Sequence, residues 1–401
     1  MLQPTIQLYR NAYGGLSRDI WWLSLVMLVN RSGTMVIPFL TLYVASIGYS
    51  EIEAGYAMTA FGVGSILGGY IGGRFTDRFG YYYLQIFTLL CSGLMFIVLA
   101  QMDALMHIIL CVFLLSTLGE GFRPANSAAI AAYSNDANRI RSYSLNRLAV
   151  NLGFAIGPAI GGALSQISWE LLFYADAATC FLAALILVLK FKKDSPAEKI
   201  RTAKEIRAES AFRDGPFLAG MFCVFLTGVC FLQFFSIIPL FYDQVLGYSG
   251  FVIGLLLAMN GAIIFLFEML IVYKLEPRNK TMDYIIRGTF LIGLAFLVLI
   301  IAPITSIVLL SMFILTLGEM LMFPFMNNFW IKRSNEHNRG QYAAVYTMAF
   351  AAAWVVSPTF STTIISRAGF SWLWIVDFGI CTLATIGFIF LKKNRNVYER
   401  V

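Results

Sequence analysis

Eight ionisable side chains interrupt runs that are otherwise apolar: Arg31, Glu120, Arg123, Arg147 and Asp176 in the first half, and Glu268, Glu319 and Asp377 in the second. A charge at the centre of a bilayer costs about 2.5–3.5 kcal/mol on insertion scales, so such groups normally face a partner or a wet cavity. Arginine offers a permanently charged fork that suits a carboxylate or a phosphate. A carboxyl group that is dried and rewetted in turn takes a proton from one side and yields it to the other. Glu120 and Glu319, with Glu268 third, are therefore the candidates for proton binding. Asn30, Arg31, Glu120, Arg123, Arg147, Asn151 and Glu319 are the candidates for holding a small solute. The first half offers cations and the second only acids, a pattern that a zwitterion could bridge.

Each assignment has a plainer alternative. Glu120 and Arg123 are three residues apart and pair along one helical face. Glu268 and Glu319 have no basic residue in the membrane part of their own half. Their alternative is a salt bridge across the middle to Arg31, Arg123 or Arg147, which would make a gate. Asp176 and Asp377 hold equivalent places in the two halves and are expected to be structural.

The elements that must position these groups are membrane helices. The chain has 401 residues, 59% hydrophobic and 13% charged, with a mean hydropathy of +0.75. Soluble chains carry about 25% charged residues, so much of this surface must meet lipid. A spanning helix needs roughly 20 apolar residues. That length predicts twelve helices, numbered in order: 20–46, 51–76, 82–101, 105–133, 141–167, 169–191, 215–244, 250–273, 283–302, 305–331, 340–366 and 371–391. The polar segment 192–214 is expected to lie along the membrane surface as a linker between two units, 1–191 and 215–401. The first twenty residues lack a continuous apolar core and are not expected to form a cleavable signal.

Basic residues set the expected orientation. With both termini inside, 25 of the 29 lysines and arginines fall on the cytoplasmic side, all but Arg31, Arg123, Arg147 and Arg367. A plasma-membrane protein with cytoplasmic termini is expected. The net charge of +7 is spread over short links, which argues against a nucleic-acid patch. The six cysteines all lie in apolar runs without metal-ligand spacing, so neither disulfides nor a metal site is expected.

The two units repeat one another. Glu120 falls on Glu319, Pro124 on Pro324, Asn138-Arg139 on Asn338-Arg339 and Pro158 on Pro358. Gly48-Tyr49-Ser50 matches Gly247-Tyr248-Ser249, and Ser168-Trp169, Asp176 and Cys180 match Ser371-Trp372, Asp377 and Cys381. Parallel repeats of this kind bring a solute site to their interface near the midplane, where one half rocks against the other.

Two motifs sharpen the picture. The turn after helix 2 reads GGRFTDRFG, with Gly73, Arg74, Asp77, Arg78 and Gly80. It resembles the loop signature of the major facilitator superfamily, G-x-x-x-D-[RK]-x-G-[RK]-[RK]. It departs from that signature at Tyr81 and Tyr82, where two more basic residues are usual. Helix 5 reads GFAIGPAIGG, and Gly153, Gly157, Pro158, Gly161 and Gly162 match the G-x-x-x-G-P-x-x-G-G element of that superfamily's antiporters without gaps. Pro158 is expected to bend the helix and leave a carbonyl unpaired. The second half keeps only Pro358 of this element.

The resemblance implies an all-α fold of twelve helices in two pseudo-symmetric six-helix bundles, working by alternating access. In that fold helices 1, 4, 7 and 10 line the cavity, helix 5 contributes, and helices 6 and 12 are peripheral. Aromatics on helix 7 (Phe231, Phe234, Phe235, Tyr242) and helix 10 (Phe323, Phe325, Phe329, Trp330) would suit an amphiphilic guest. No nucleophile elbow, phosphate-binding loop, HExxH or zinc spacing occurs, so no enzyme and no cofactor is expected. The leading expectation is proton-coupled export of drugs or metabolites, with small-molecule solute, protons and lipid as partners. The alternative is proton-driven movement of zwitterions such as short peptides or amino acids. A monomer is expected, because each chain carries a complete cavity.

Overall fold

The computed structural model describes residues 15–135, 138–191, 210–278, 280–334 and 338–393. Among them the chain makes twelve helical passes and no strand. The expected linker falls largely outside the described residues. So do His337 and the side chain of Asp77.

The helices begin where the repeat places its caps. The Ser50 side chain accepts a hydrogen bond from the Glu53 N–H, and Glu53 accepts one from the Ser50 N–H at 2.8 Å, closing a capping box on helix 2, Glu51–Phe79. Ser249 caps helix 8, Gly250–Leu275, in the same position. Before each cap stands a glycine at positive φ, Gly48 at 98° and Gly247 at 63°, where a side chain would be strained. The intervening tyrosines tie these turns down: the Tyr49 hydroxyl donates to Asp103 O, and Tyr248 bonds to Thr305.

Eleven passes are long and apolar enough to cross a membrane on composition alone. Helix 2 is diluted by Gly55, Gly62, Gly64, Gly68, Gly69, Gly72 and Gly73. Those glycines let it pack backbone to backbone, since a Cβ at Gly68 would stand 2.2 Å from Thr117 O and one at Gly72 would stand 2.6 Å from the Gly121 Cα.

Two of the expected helices are broken. Helix 1 divides into Arg18–Ser32 and Val36–Ser46 around Gly33-Thr34-Met35. Helix 7 divides into Gly215–Phe231, Gln233–Ser236 and Ile238–Gln244. Pro38 and Pro239 stand near the start of the last segments and remove a backbone donor, so the preceding turn cannot continue the ladder.

Asp176 caps one of these breaks, and Asp377 lies beside the other. The Asp176 carboxylate accepts from Met35 N at 3.1 Å and Val36 N at 3.0 Å, capping the second segment of helix 1. Asp377 accepts from Gln233 Nε2 at 2.8 Å, beside the break in helix 7. Both aspartates are fully buried. Helices 6 and 12 are thus peripheral only on their far side, and their acids point inward to the broken segments.

Apart from Arg367 at the far end of helix 11, the described lysines and arginines at helix ends gather at one end of the bundle, the basic face. There the helix 7 N-cap Asp214 receives Arg333 Nε at 2.6 Å and the Tyr342 hydroxyl at 2.8 Å, joining helices 7, 10 and 11. Helix 10 is Thr305–Arg333 and helix 11 is Arg339–Ala368.

Candidate functional site

The halves meet along two seams. Helix 2 packs on helix 11, with the hydroxyls of Thr59 and Thr359 at 2.7 Å and Gly62 against the Trp354 backbone. All of these contacts fall in the part of each helix remote from the basic face. Helix 5, Arg139–Ser165, packs on helix 8. A Cβ at Gly254 would meet Pro158 O at 2.1 Å, and one at Gly162 would meet Gly250 O at 2.2 Å. Between the seams, Thr41 Oγ1 of helix 1 donates to Ser236 O of helix 7 at 2.8 Å. The molecule is shut at the face opposite the basic one.

The glycine-proline element therefore serves two neighbours. Gly153, Gly157 and Gly161 lie against helix 1 around its break, at Arg31, Ser32 and Met35. Gly162 and the Pro158 carbonyl lie against helix 8. Helix 5 runs unbroken through Pro158, whose own carbonyl is covered by Gly254. The carbonyl that the missing proline N–H leaves without its helical donor is that of Phe154.

At the junction of the halves lies a cavity of about 130 Å³, bounded by Pro38, Asn151, Phe154, Pro158, Phe231, Phe234, Phe235, Asn260 and Glu319 among others. Three aromatics of helix 7 and one of helix 5 make its walls, and Phe154 sits 6.1 Å from Phe235 between ring centroids. Glu319 is its acid. Glu319 Oε2 accepts from Asn260 Nδ2 at 3.0 Å, and the same amide donates to Thr316 Oγ1 at 3.0 Å. Asn260 escaped the sequence reading. Its signal was a lone amide in the apolar run LLLAMNGAIIF.

Glu268 is paired across the halves. Its Oε1 meets Arg147 Nη2, tying helix 8 to helix 5 nearer the basic face. This is the cross-middle bridge that stood as the plainer alternative for Glu268. Glu319 lies within electrostatic reach of both members of that bridge. Glu120 likewise follows its plainer alternative, with Arg123 Nε 2.8 Å from its Oε2.

Arg31 closes the first segment of helix 1 and is buried, with its guanidinium 6.0 Å from the Phe154 ring centroid. It borders two cavities of the first half. One, about 70 Å³, also has Asn30, Thr88, Ser92, Ser116 and Glu120 in its walls. The other, about 290 Å³, has Arg123, Asn126, Tyr143 and Asn146. Asn30 is turned to Cys180, with Nδ2 3.9 Å from the sulfur. The candidates thus fall into three neighbouring groups around the first-half cavities, the helix 5–8 bridge and the junction.

Of the loop motif, Gly80 ends helix 2 at a φ of 82° and Gly73 faces open space. Arg74 lies over the Tyr70 ring at 4.6 Å and Arg78 over Phe79 at 5.3 Å. Of the expected aromatics, Phe323 meets Phe231 edge-on at 4.8 Å. Tyr242, Phe325 and Phe329 belong to the packed core instead.

Twelve passes, two matched halves with their broken helices facing each other, and an aromatic-walled pocket holding one acid at the junction are the arrangement of a membrane transporter. The chain belongs to the Major Facilitator Superfamily, whose family description matches residues 22–358. The Na(+), Li(+), K(+)/H(+) antiporter of Planococcus maritimus is 24% identical over 402 residues, covering 90% of this chain and 92% of that one. The quinolone resistance protein NorA of Staphylococcus aureus is 26% identical over 170 residues, 40% of this chain and 42% of NorA. Among solved structures, a POT family transporter in complex with a thioalcohol-conjugated peptide aligns with a TM-score of 0.78 at 16% identity. That alignment covers 96% of this chain and 98% of the other, and it speaks for the fold. The chain is a multi-pass transporter of small molecules and not an enzyme.

Proposed function

We propose that this protein is a proton-coupled antiporter that exports small amphiphilic organic compounds, with Glu319 as the coupling carboxylate. One observation carries the reading. Glu319 stands in the junction cavity among Phe154, Phe231, Phe234 and Phe235, and it accepts a hydrogen bond from a neutral amide. Glu120 and Glu268, by contrast, each sit on an arginine. An acid without a cation in contact, in a space that opens to water on alternate sides, can exchange a proton for a guest. Aromatic walls favour an apolar or cationic guest. The likeness to the antiporter and to NorA supports the same reading.

In this proposal the basic face is cytoplasmic, the membrane is the plasma membrane and one chain suffices. The two rocking units are 1–191 and 215–401, joined by 192–214. The geometry then corresponds to a state closed outside, with the Arg123 and Arg147 side chains 60% and 46% exposed toward the cytoplasm. Gly73, Arg74, Asp77, Arg78 and Gly80 form the cytoplasmic gating turn.

Reconstituted protein given an inward-directed pH gradient should move a fluorescent lipophilic cation against its own gradient. Glu319→Gln should bind the dye and lose gradient-driven movement by at least about tenfold, a transition-state cost near 1.4 kcal/mol. Wild-type driven transport in Glu319→Gln would remove the basis of the proposal. A second reading, proton-driven transport of zwitterions, rests on the Arg147–Glu268 contact, where a cation of one half meets an acid of the other. A dipeptide that stabilises the wild type but not Arg147→Ala would favour it.

A further inference from the structure

We propose that the first half carries an anion pocket of its own, built on Arg31 and Ser92, that takes a small monovalent anion. It stands apart from the Glu319 reading and rests on different residues. Arg31 is only 9% exposed, and its Nε has no hydrogen-bond partner among the described residues. The Ser92 hydroxyl, 5% exposed at the residue level, is also without one. Both groups border the same cavity of about 70 Å³ between helices 1, 2, 3, 4 and 6.

The neighbouring groups do not supply the missing partner. Ser116 and Thr88 spend their protons on carbonyls of their own helices, at Phe113 O and Leu84 O. Glu120, the acid in the cavity wall, is held by Arg123 at 2.8 Å. Asp176 is committed to Met35 N and Val36 N. The wall of the cavity carries one cation, Arg31, and one acid, Glu120. Arg123 pairs that acid from outside the wall, so among the described residues Arg31 has no acid in contact. Arginine cannot relieve this by losing its proton.

A space of this size holds roughly two waters, each taking ≈ 30 Å³ in the liquid. That is also room for a chloride ion or the head of a carboxylate. Two unpartnered donors beside one space, one of them cationic, suit an anion better than water alone. Phe154 forms the partition. Its ring lies against the Arg31 guanidinium and also walls the junction cavity. The anion could be free chloride, or the carboxylate of a solute whose apolar part lies beyond that ring.

Thermal unfolding of the full chain in nanodiscs separates these sources. Chloride, formate and benzoate are titrated as sodium salts against sulfate at constant ionic strength. The wild type should show a saturable rise in Tm. Its apparent Kd should weaken at least about tenfold in Arg31→Gln and several-fold in Ser92→Ala, while Glu319→Gln keeps the wild-type value. Saturation by chloride and formate identifies a free-anion site. Saturation by benzoate and formate without chloride identifies a carboxylate subsite for solute. Absence of any saturable shift in the wild type overturns the proposal, as does wild-type affinity in Ser92→Ala, which keeps the test decisive should Arg31→Gln fail to fold. Either failure leaves the Glu319 transport assay untouched.

Discussion

Three carboxylates looked alike in the chain and differ once their neighbours are known. Glu120 and Glu268 sit on arginines, whereas Glu319 is steadied by the Asn260 amide, which Thr316 shares. A fourth acid, Asp214, lies outside the membrane-spanning segments. Burial pushes its carboxyl up, but hydrogen bonds from Arg333, Tyr342 and the Phe217 N–H outweigh that and hold it below the usual carboxylate range. The stabilisation is therefore full above the ordinary aspartate value of about 3.9 and fades as pH falls through the lower folded value. Thermal scans should show stability dropping below about pH 4, and Asp214→Asn should flatten that part of the profile. The same variant removes one acid from the buried Arg333 and should also lower stability at neutral pH. An unchanged profile in Asp214→Asn would mean that other groups govern the acid limit.

At the scale of elements, the breaks in helices 1 and 7 matter more than the unbroken spans. The helix 7 break lies beside Ser236, which accepts from Thr41 of the other half, whereas the helix 1 break packs on helices 5 and 6 of its own half. Asp176 caps the latter through Met35 N and Val36 N, and Asp377 meets the Gln233 side chain beside the former. Removing a carboxylate that two buried N–H groups depend on costs about 1–3 kcal/mol for each donor stranded. Asp176→Ala should lower Tm by several degrees and loosen Val36–Ser46, seen as faster amide exchange at Met35 and Val36. Exchange as slow as in the wild type would show that the break is held by packing alone. The seam of helices 5 and 8 invites a complementary test. Gly254→Val places carbon where Pro158 O already stands 2.1 Å from a Cβ. Labels across the seam should report wider separation at the closed face, and solute should leak or transport should stall. An unchanged label distance would deny the seam its role as a gate.

For the whole molecule, the Arg147–Glu268 bridge is an ionic tie between the halves among the described residues, on the side of the basic face. Arg147 is 46% exposed, so solvent screens the pair and a coupling energy on the order of 1 kcal/mol is expected. Arg147→Gln and Glu268→Gln should each shift the population of open and closed forms, and the double variant should add little to either. Fully additive effects in distance measurements would show that the two residues act separately. Because a few kcal/mol divides the two arrangements of such a transporter, a tie of this size is enough to set which one predominates.

Much of this was present in the order of residues. Long apolar runs cannot be satisfied in water, and helices are the spanning structure that pairs its own backbone groups, so the passes were legible from length alone. The doubled Gly-Tyr-Ser turns and the paired Glu120/Glu319 and Asp176/Asp377 announced two halves, because duplicated caps and duplicated buried charges need duplicated surroundings. Proximity across the halves was not legible. Whether Glu268 meets Arg147 depends on how helix 5 lies on helix 8, and whether Glu319 meets Asn260 on how helix 10 lies on helix 8. Residues so far apart in the chain leave no local periodicity that records it. The breaks at Gly33 and Leu232 were likewise hidden, since Pro38 and Pro239 permit a break, and the carboxylate that caps the one in helix 1 comes from another helix.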